Sequence, residues 1–160
     1  MKLLKYLGLC VLVLVIVYLL GPNQQYEEFD NEPIKLNLAL IELEQYIENK
    51  ESKVSNIKED NQAEIIWLDS IRKTEYAIVY LHGYTASKGE GEPIHKNIAK
   101  KYGCNLYLPR LSKHGLVDED AFIALTPKDF VESAKEAIAI GKLIGEKVIL
   151  MGTSTGGTLA

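Results

Sequence analysis

The residues best suited to chemistry stand near the end of the chain, where Gly152, Ser154 and Gly156 match the pattern G-x-S-x-G. A serine hydroxyl is a weak nucleophile unless it is presented at a fixed angle and given a base. The pattern supplies the presentation, because the serine sits on a sharp strand-to-helix turn that lifts its hydroxyl above the sheet's C-terminal edge. The turn strains the serine's backbone and brings strand and helix so close that a Cβ at Gly152 or Gly156 would clash. Residues 148–151 (Val, Ile, Leu, Met) form the short apolar run expected of a parallel strand covered on both faces. Thr155 then opens a helix whose free N–H groups favour an anion. With Gly and Ser each near about 7% of residues, about 0.05 such pentapeptides fall by chance in a chain of this length. The bland alternative is a glycine-rich turn with a surface serine.

Acyl transfer also needs two convergent N–H donors where a tetrahedral oxyanion develops. With this turn, one donor is the amide after the nucleophile and the other comes from a loop after an earlier strand, often a His-Gly pair. Those positions are Thr155 and Tyr84, the latter following His82 and Gly83. Gly83 lets the chain turn tightly enough to aim the Tyr84 amide. His82 reads as a buried structural ring beneath the hole, rather than a base. His95 falls in a helix's first turn, exposed or bonded locally, and His114, before Gly115, reads as a brace for its own loop. No spacing among the three histidines and two cysteines makes a metal site. Gly89 and Gly91 lack the third glycine and preceding strand of a dinucleotide fingerprint, so no cofactor is expected.

Alternating elements must position these residues. Strands are expected over 63–68, 76–81 and 105–108, and helices over 93–102 and from Pro127 to 144. Thr126, Pro127 and Asp129 form a helix start and Gly145 a stop. Upstream, Leu36, Leu40, Leu43 and Ile47 follow at spacings of four, three and four, which predicts an amphipathic helix from shortly after Pro33 to near Asn49. It would pack on the following domain or lie along a bilayer. Alternating strands and helices predict a mainly parallel sheet with flanking helices.

The first twenty residues differ from the rest. Residues 6–20 are unbroken apolar, about 22 Å of helix against a hydrocarbon core of about 30 Å, and Lys5 can snorkel to extend the span. A membrane helix through residues 3–20, a cleaved signal and a buried core helix are all open on length. The absence of a small-x-small cleavage site after it favours an anchor. No Lys or Arg falls between Lys5 and Lys35, which keeps the N-terminus cytoplasmic and the remainder outside. Domain boundaries follow: 1–21 an anchor, 22–62 a linker with an amphipathic helix, 63–160 a folded unit. The net charge of −4, without a basic patch, argues against nucleic acid as a partner. Cys10 and Cys104 are expected too far apart to pair, each a small buried hydrophobe.

Three segments resemble the alpha/beta-hydrolase superfamily, in its lipase, esterase and monoacylglycerol-lipase-like group, which also holds serine aminopeptidase-like sequences. They are residues 80–87 around His82 and Gly83, residues 105–115 with Pro109, Arg110 and His114, and residues 150–157 around Ser154. The resemblance covers 63–160 and implies the N-terminal half of that fold, with Ser154 as nucleophile and the Tyr84 and Thr155 amides as oxyanion donors. It departs in one respect: the family's catalytic acid and histidine follow the nucleophile on later strands. The chain therefore reads as an N-terminal fragment, inert alone, with an open sheet edge. The implied activity is hydrolysis of a carboxylic ester, with small-molecule and lipid-like esters both open as substrates and amide hydrolysis and acyl transfer as alternatives on the same fold. Two other classes stay in view: a membrane-tethered binding protein on a hydrolase scaffold, and a nucleotide-binding oxidoreductase suggested by Gly152, Gly156 and Gly157.

Overall fold

A computed structural model describes residues 2–21 and 28–160, the side chains of residues 2, 3 and 119 apart. Residues 22–27, which hold most of the junction after the apolar run and the start of the expected linker, lie outside the described residues. The rest forms a mixed α/β unit around four strands: β1 (Glu64–Ile66), β2 (Thr74–Leu81), β3 (Asn105–Leu108) and β4 (Gly145–Gly152), in the order β1-β3-β2-β4. β2 runs parallel to both β3 and β4, and β1 closes the far side antiparallel to β3. The sheet is therefore mainly parallel, as expected.

The period-two pattern of β2 builds both cores. Ala77, Val79 and Leu81 face one layer, where they meet Ala134, Ala137, Ile140 and Ile144 of helix α4 (Pro127–Ile144). Ile78 and Tyr80 face the other, against Ala99 of helix α3 (Ile94–Tyr102) and Leu106 of β3. Thr126 and Asp129 start α4 as predicted: the Thr126 hydroxyl accepts the Asp129 N–H at 3.2 Å, and the Asp129 carboxylate accepts the Thr126 N–H at 2.9 Å. Helix α4 ends at Ile144 and β4 begins at Gly145 with no loop between them.

One polar residue ties these elements together. The buried Asn105 side chain accepts the Leu68 N–H at 2.9 Å. Its amide donates to the Arg72 carbonyl at 2.7 Å and the Ile144 carbonyl at 2.8 Å, so the starts of β2, β3 and β4 share one hub. The bond to Leu68 also explains why β1 stops at Ile66, short of the expected 63–68.

The segment before β1 departs from expectation. Helix α2 spans only Leu43–Glu51, after a 3-10 turn at Leu40–Glu42. Residues 28–39 are extended, with Ile34, Leu36, Leu38 and Leu40 half-buried and the residues between them exposed. Two periods were superimposed here, and the alternation of the leucines prevailed over the helical spacing. Leu43 and Ile47 belong to the same core as β2 and α4, so this segment is part of the folded unit and more than a linker. Helix α3 begins at Ile94 with Pro93 as its cap residue, one position later than expected.

Strand β4 also differs. Val148 and Leu150 pack toward α4; on the other face Met151 packs against the Ile78 and Tyr80 layer but Ile149 is 43% exposed, so that face of the apolar run is only partly covered among the described residues. Helix α1 (Lys2–Leu20) is a single helix, and its large side chains from Leu4 to Leu20 are exposed. Among the described residues no helix is long and apolar enough to cross a membrane. The described side chains of α1, residues 4–20, extend about 25 Å, short of a hydrocarbon core of about 30 Å. The dimensions of the helix therefore do not establish the expected single-pass span. Cys10 is exposed on α1, against expectation, whereas Cys104 is buried beside β3.

Replacing Asn105 by alanine leaves a buried N–H and two carbonyls without partners, each costing about 1–3 kcal/mol when unmet. Asn105→Ala should lower unfolding stability by about 3 kcal/mol in urea titrations of the chain. A loss under about 1 kcal/mol would show that water satisfies these groups.

Candidate active site

The register of β2 against β4 sets the site. Leu81 pairs with Gly152, so the two strands end level, and the Thr153 N–H extends the ladder by donating to the Leu81 carbonyl at 3.1 Å. The chain then reverses at Ser154, whose φ of 51° and ψ of −116° lie in a region that side chains rarely adopt. Helix α5 (Thr155–Leu159) follows at once. The glycines prove sterically required. A Cβ on Gly152 would stand 2.4 Å from the Gly156 carbonyl carbon, and one on Gly156 would stand 1.9 Å from the Leu81 carbonyl oxygen. Ser154 itself is exposed.

The loop after β2 lies beside this turn, and its backbone is held from below. His82 is fully buried, and its Nε2 accepts the Leu111 N–H at 3.2 Å. A backbone amide can only donate, so the proton of the neutral ring is on Nδ1, which donates to the Gly83 carbonyl at 3.0 Å. That carbonyl shares a peptide plane with the Tyr84 N–H. Pinning one inward turns the other outward, since the two point in opposite directions across a trans peptide. Among the described residues the N–H groups of Tyr84 and Thr155 donate to no acceptor. His82 thus sits where expected, and Gly83 and Tyr84 follow it in the expected loop.

The other two histidines are also committed. His114 is fully buried, its Nδ1 2.7 Å from the Ser112 carbonyl and its Nε2 against the Tyr84 carbonyl, so it braces more than its own loop. His95 is fully buried rather than exposed: its ring packs edge-on against Tyr80, with Nε2 3.0 Å from the Lys88 carbonyl. None of these rings bonds to Ser154 among the described residues.

Sequence reasoning missed a second tie between loop and turn. A Glu90 carboxylate oxygen accepts the Gly83 N–H at 2.8 Å and the Tyr80 hydroxyl at 3.0 Å. The Tyr80 oxygen in turn lies 3.0 Å from the Thr153 hydroxyl. Burial holds the Tyr80 phenol above its ordinary pKa, so it remains a donor to Glu90. Tyr80 follows from the alternation of β2, but nothing local marks Glu90, which lies between two glycines. The Tyr84 ring is half-exposed and stacks on Phe122, 5.3 Å between centroids, which closes the outer side of the loop.

Two cavities of about 640 Å³ each lie between α2 and β1 and between Arg110 and the start of α4, and neither is lined by Ser154. Among the described residues no cluster of His, Cys, Asp or Glu could hold a metal ion. In comparison with known proteins, no family model matches the chain and no curated protein is similar to it.

Burial pulls the His82 pKa from 6.5 down to about 4. The unfolded chain therefore binds the extra proton first, and the neutral ring's contribution is fully present above about pH 6.5 and lost as pH falls toward 4. Stability should fall by about 3 kcal/mol across that window. In His82→Gln the slope should flatten. An unchanged slope would assign the titration to another group.

Proposed function

We propose that the chain carries the nucleophile and oxyanion elements of an alpha/beta-hydrolase-type serine hydrolase that cleaves carboxylic esters. The observation that carries this reading is the backbone of Ser154, held at positive φ between two glycines that admit no Cβ, with the unpaired N–H of Thr155 next in the chain and the unpaired N–H of Tyr84 on the loop that ends β2. The resemblance of residues 80–87, 105–115 and 150–157 to that superfamily supports it. Ser154 Oγ attacks the acyl carbon and passes its proton to a general base. The Tyr84 and Thr155 amides take the developing oxyanion. The alkoxide leaves with that proton, and water resolves the acyl-enzyme. Amide hydrolysis and acyl transfer use the same steps with a different leaving group or acceptor.

One observation favours a second reading, a binding protein on a hydrolase scaffold: every described histidine is engaged elsewhere. The oxidoreductase reading has less support. The glycine turn of a dinucleotide fold follows the first strand of its domain, whereas Gly152 ends β4 here.

We also propose that α1 attaches the chain to a membrane, with the folded unit on the extracytoplasmic side. Its exposed apolar surface and the lysine-free stretch between Lys5 and Lys35 support this. A short helix is accommodated by snorkelling and local thinning of the bilayer.

In the full-length protein, Ser154→Ala should abolish turnover of a short-chain p-nitrophenyl ester with the circular dichroism unchanged. Activity within about tenfold of wild type removes the nucleophile assignment. Tyr84→Pro deletes the candidate donor and should cost about 10²–10³ in kcat, whereas Tyr84→Phe keeps the N–H and should cost little. A C-terminal alkaline phosphatase fusion should be active and resist carbonate extraction; an inactive fusion reverses the orientation, and release by carbonate removes the attachment.

A further inference from the structure

The supports under Tyr84 lead back to α2, well away from the turn at Ser154. Arg110 and Glu51 form an ion pair with side chains only 5% and 8% exposed. Arg110 Nε donates to Glu51 Oε2 at 2.7 Å and Nη2 to Oε1 at 3.1 Å. The remaining nitrogen, Nη1, donates to the His114 carbonyl at 3.2 Å. The His114 ring then meets the Tyr84 carbonyl. His82 already holds the carbonyl on the other side of the Tyr84 α-carbon. Both peptide planes flanking Tyr84 are thus held by imidazoles, and one of those imidazoles hangs on Arg110.

The loop between β3 and α4 has no sheet or helix ladder at His114, and it bends through positive φ at Lys113 (63°) and Gly115 (65°). Backbone bonds hold its neighbours, with the His114 N–H donating to the Leu111 carbonyl at 3.0 Å and the Gly115 carbonyl accepting the Lys58 N–H at 2.8 Å, while the His114 carbonyl itself is held by the Arg110 side chain. A guanidinium paired in parallel with a carboxylate has its plane fixed, so the third N–H direction is fixed too. A lysine could pair with Glu51 but could not fix a second direction.

We propose that Arg110 is a positioning residue for the candidate oxyanion donor, oriented by Glu51 and acting through His114 on the Tyr84 peptide. This rests on the hydrolase reading of Ser154 and Tyr84. Arg110→Lys in the full-length protein keeps the charge and removes the fork. The rate of Ser154 labelling by a fluorophosphonate, and kcat on a p-nitrophenyl ester, should fall about tenfold or more, with KM changed less than about threefold. The Tyr84 amide resonance should move while those of β2 stay in place.

Labelling within about twofold of wild type with the Tyr84 resonance unmoved overturns the proposal. So does a lowered melting temperature with unchanged labelling below it, because that is a purely structural role. Should Arg110→Lys not fold, the wild-type protein still decides. Distinct, slowly exchanging Nη resonances for Arg110 support the anchored fork, and one averaged signal overturns it. If wild-type Ser154 takes no probe, the hydrolase reading fails, and the Tyr84 resonance in Arg110→Lys alone decides whether Arg110 positions that loop.

Discussion

The candidate site depends on how closely Gly156 approaches the end of β2. A Cβ there would lie 1.9 Å from the Leu81 oxygen and 2.7 Å from the His82 oxygen, so the first turn of α5 rests directly on backbone. Since Leu81 and Gly152 end their strands at the same level, the chain has only Thr153 and Ser154 in which to leave β4, clear Leu81 and begin a helix. The reversal is concentrated at Ser154, whose positive φ costs roughly 1–3 kcal/mol for a residue with a Cβ. Parallel pairing below and the helix–strand contact above over-determine that conformation. An exposed serine is therefore fixed by contacts in which its own side chain takes no part.

The neighbouring loop is fixed by another means. It has no ladder of its own, and its carbonyls point into the protein, where they need donors. Histidine serves because a neutral ring both donates and accepts, so one side chain links an amide on one loop to a carbonyl on the next. His82 does this between Leu111 and Gly83, and burial keeps it neutral. A charged donor at the same place would stand uncompensated under the site, at a desolvation cost of several kcal/mol. The nearest buried charge pair, Arg110 with Glu51, sits one step further out and reaches the loop only through His114. On the other flank Glu90 ties Gly83 to Tyr80 and, through it, to Thr153, so loop and turn share supports on both sides.

What the sequence made legible follows the range of the interactions involved. The turn at Ser154, the start of α4 at Thr126 and its stop at Gly145 depend on contacts within four residues, and each stands where the pattern placed it. The leucines of residues 34–47 carried two periods at once. Only burial against the sheet selects the alternating one for its first half, so the expected helix began too early. His95 was misread because helical position alone does not show that Tyr80 lies against that face of α3. The Arg110–Glu51 pair joins residues 59 apart, and Asn105 reaches 33 and 39 residues away, with nothing local to announce either. Glu90 belongs to the same class.

The topology also determines which side of Ser154 the sheet leaves open. Helix α3 follows β2 onto one face of the sheet, whereas α5 follows β4 beside α4 on the other, so the strand ends of β2 and β4 flank a crevice of the kind that binds ligands in open α/β sheets. The β2 side of Ser154 is taken up by residues 81–84, with the His82 ring buried beneath them. On the opposite side, among the described residues, β4 pairs with nothing, and Ile149 stands exposed. A strand added there would continue the register that sets Leu81 level with Gly152, and its C-terminal loop would arrive beside Ser154 from the side His82 does not occupy. On the hydrolase reading proposed above, the open edge of β4 is the side from which a proton acceptor would reach Ser154, opposite the candidate oxyanion donors.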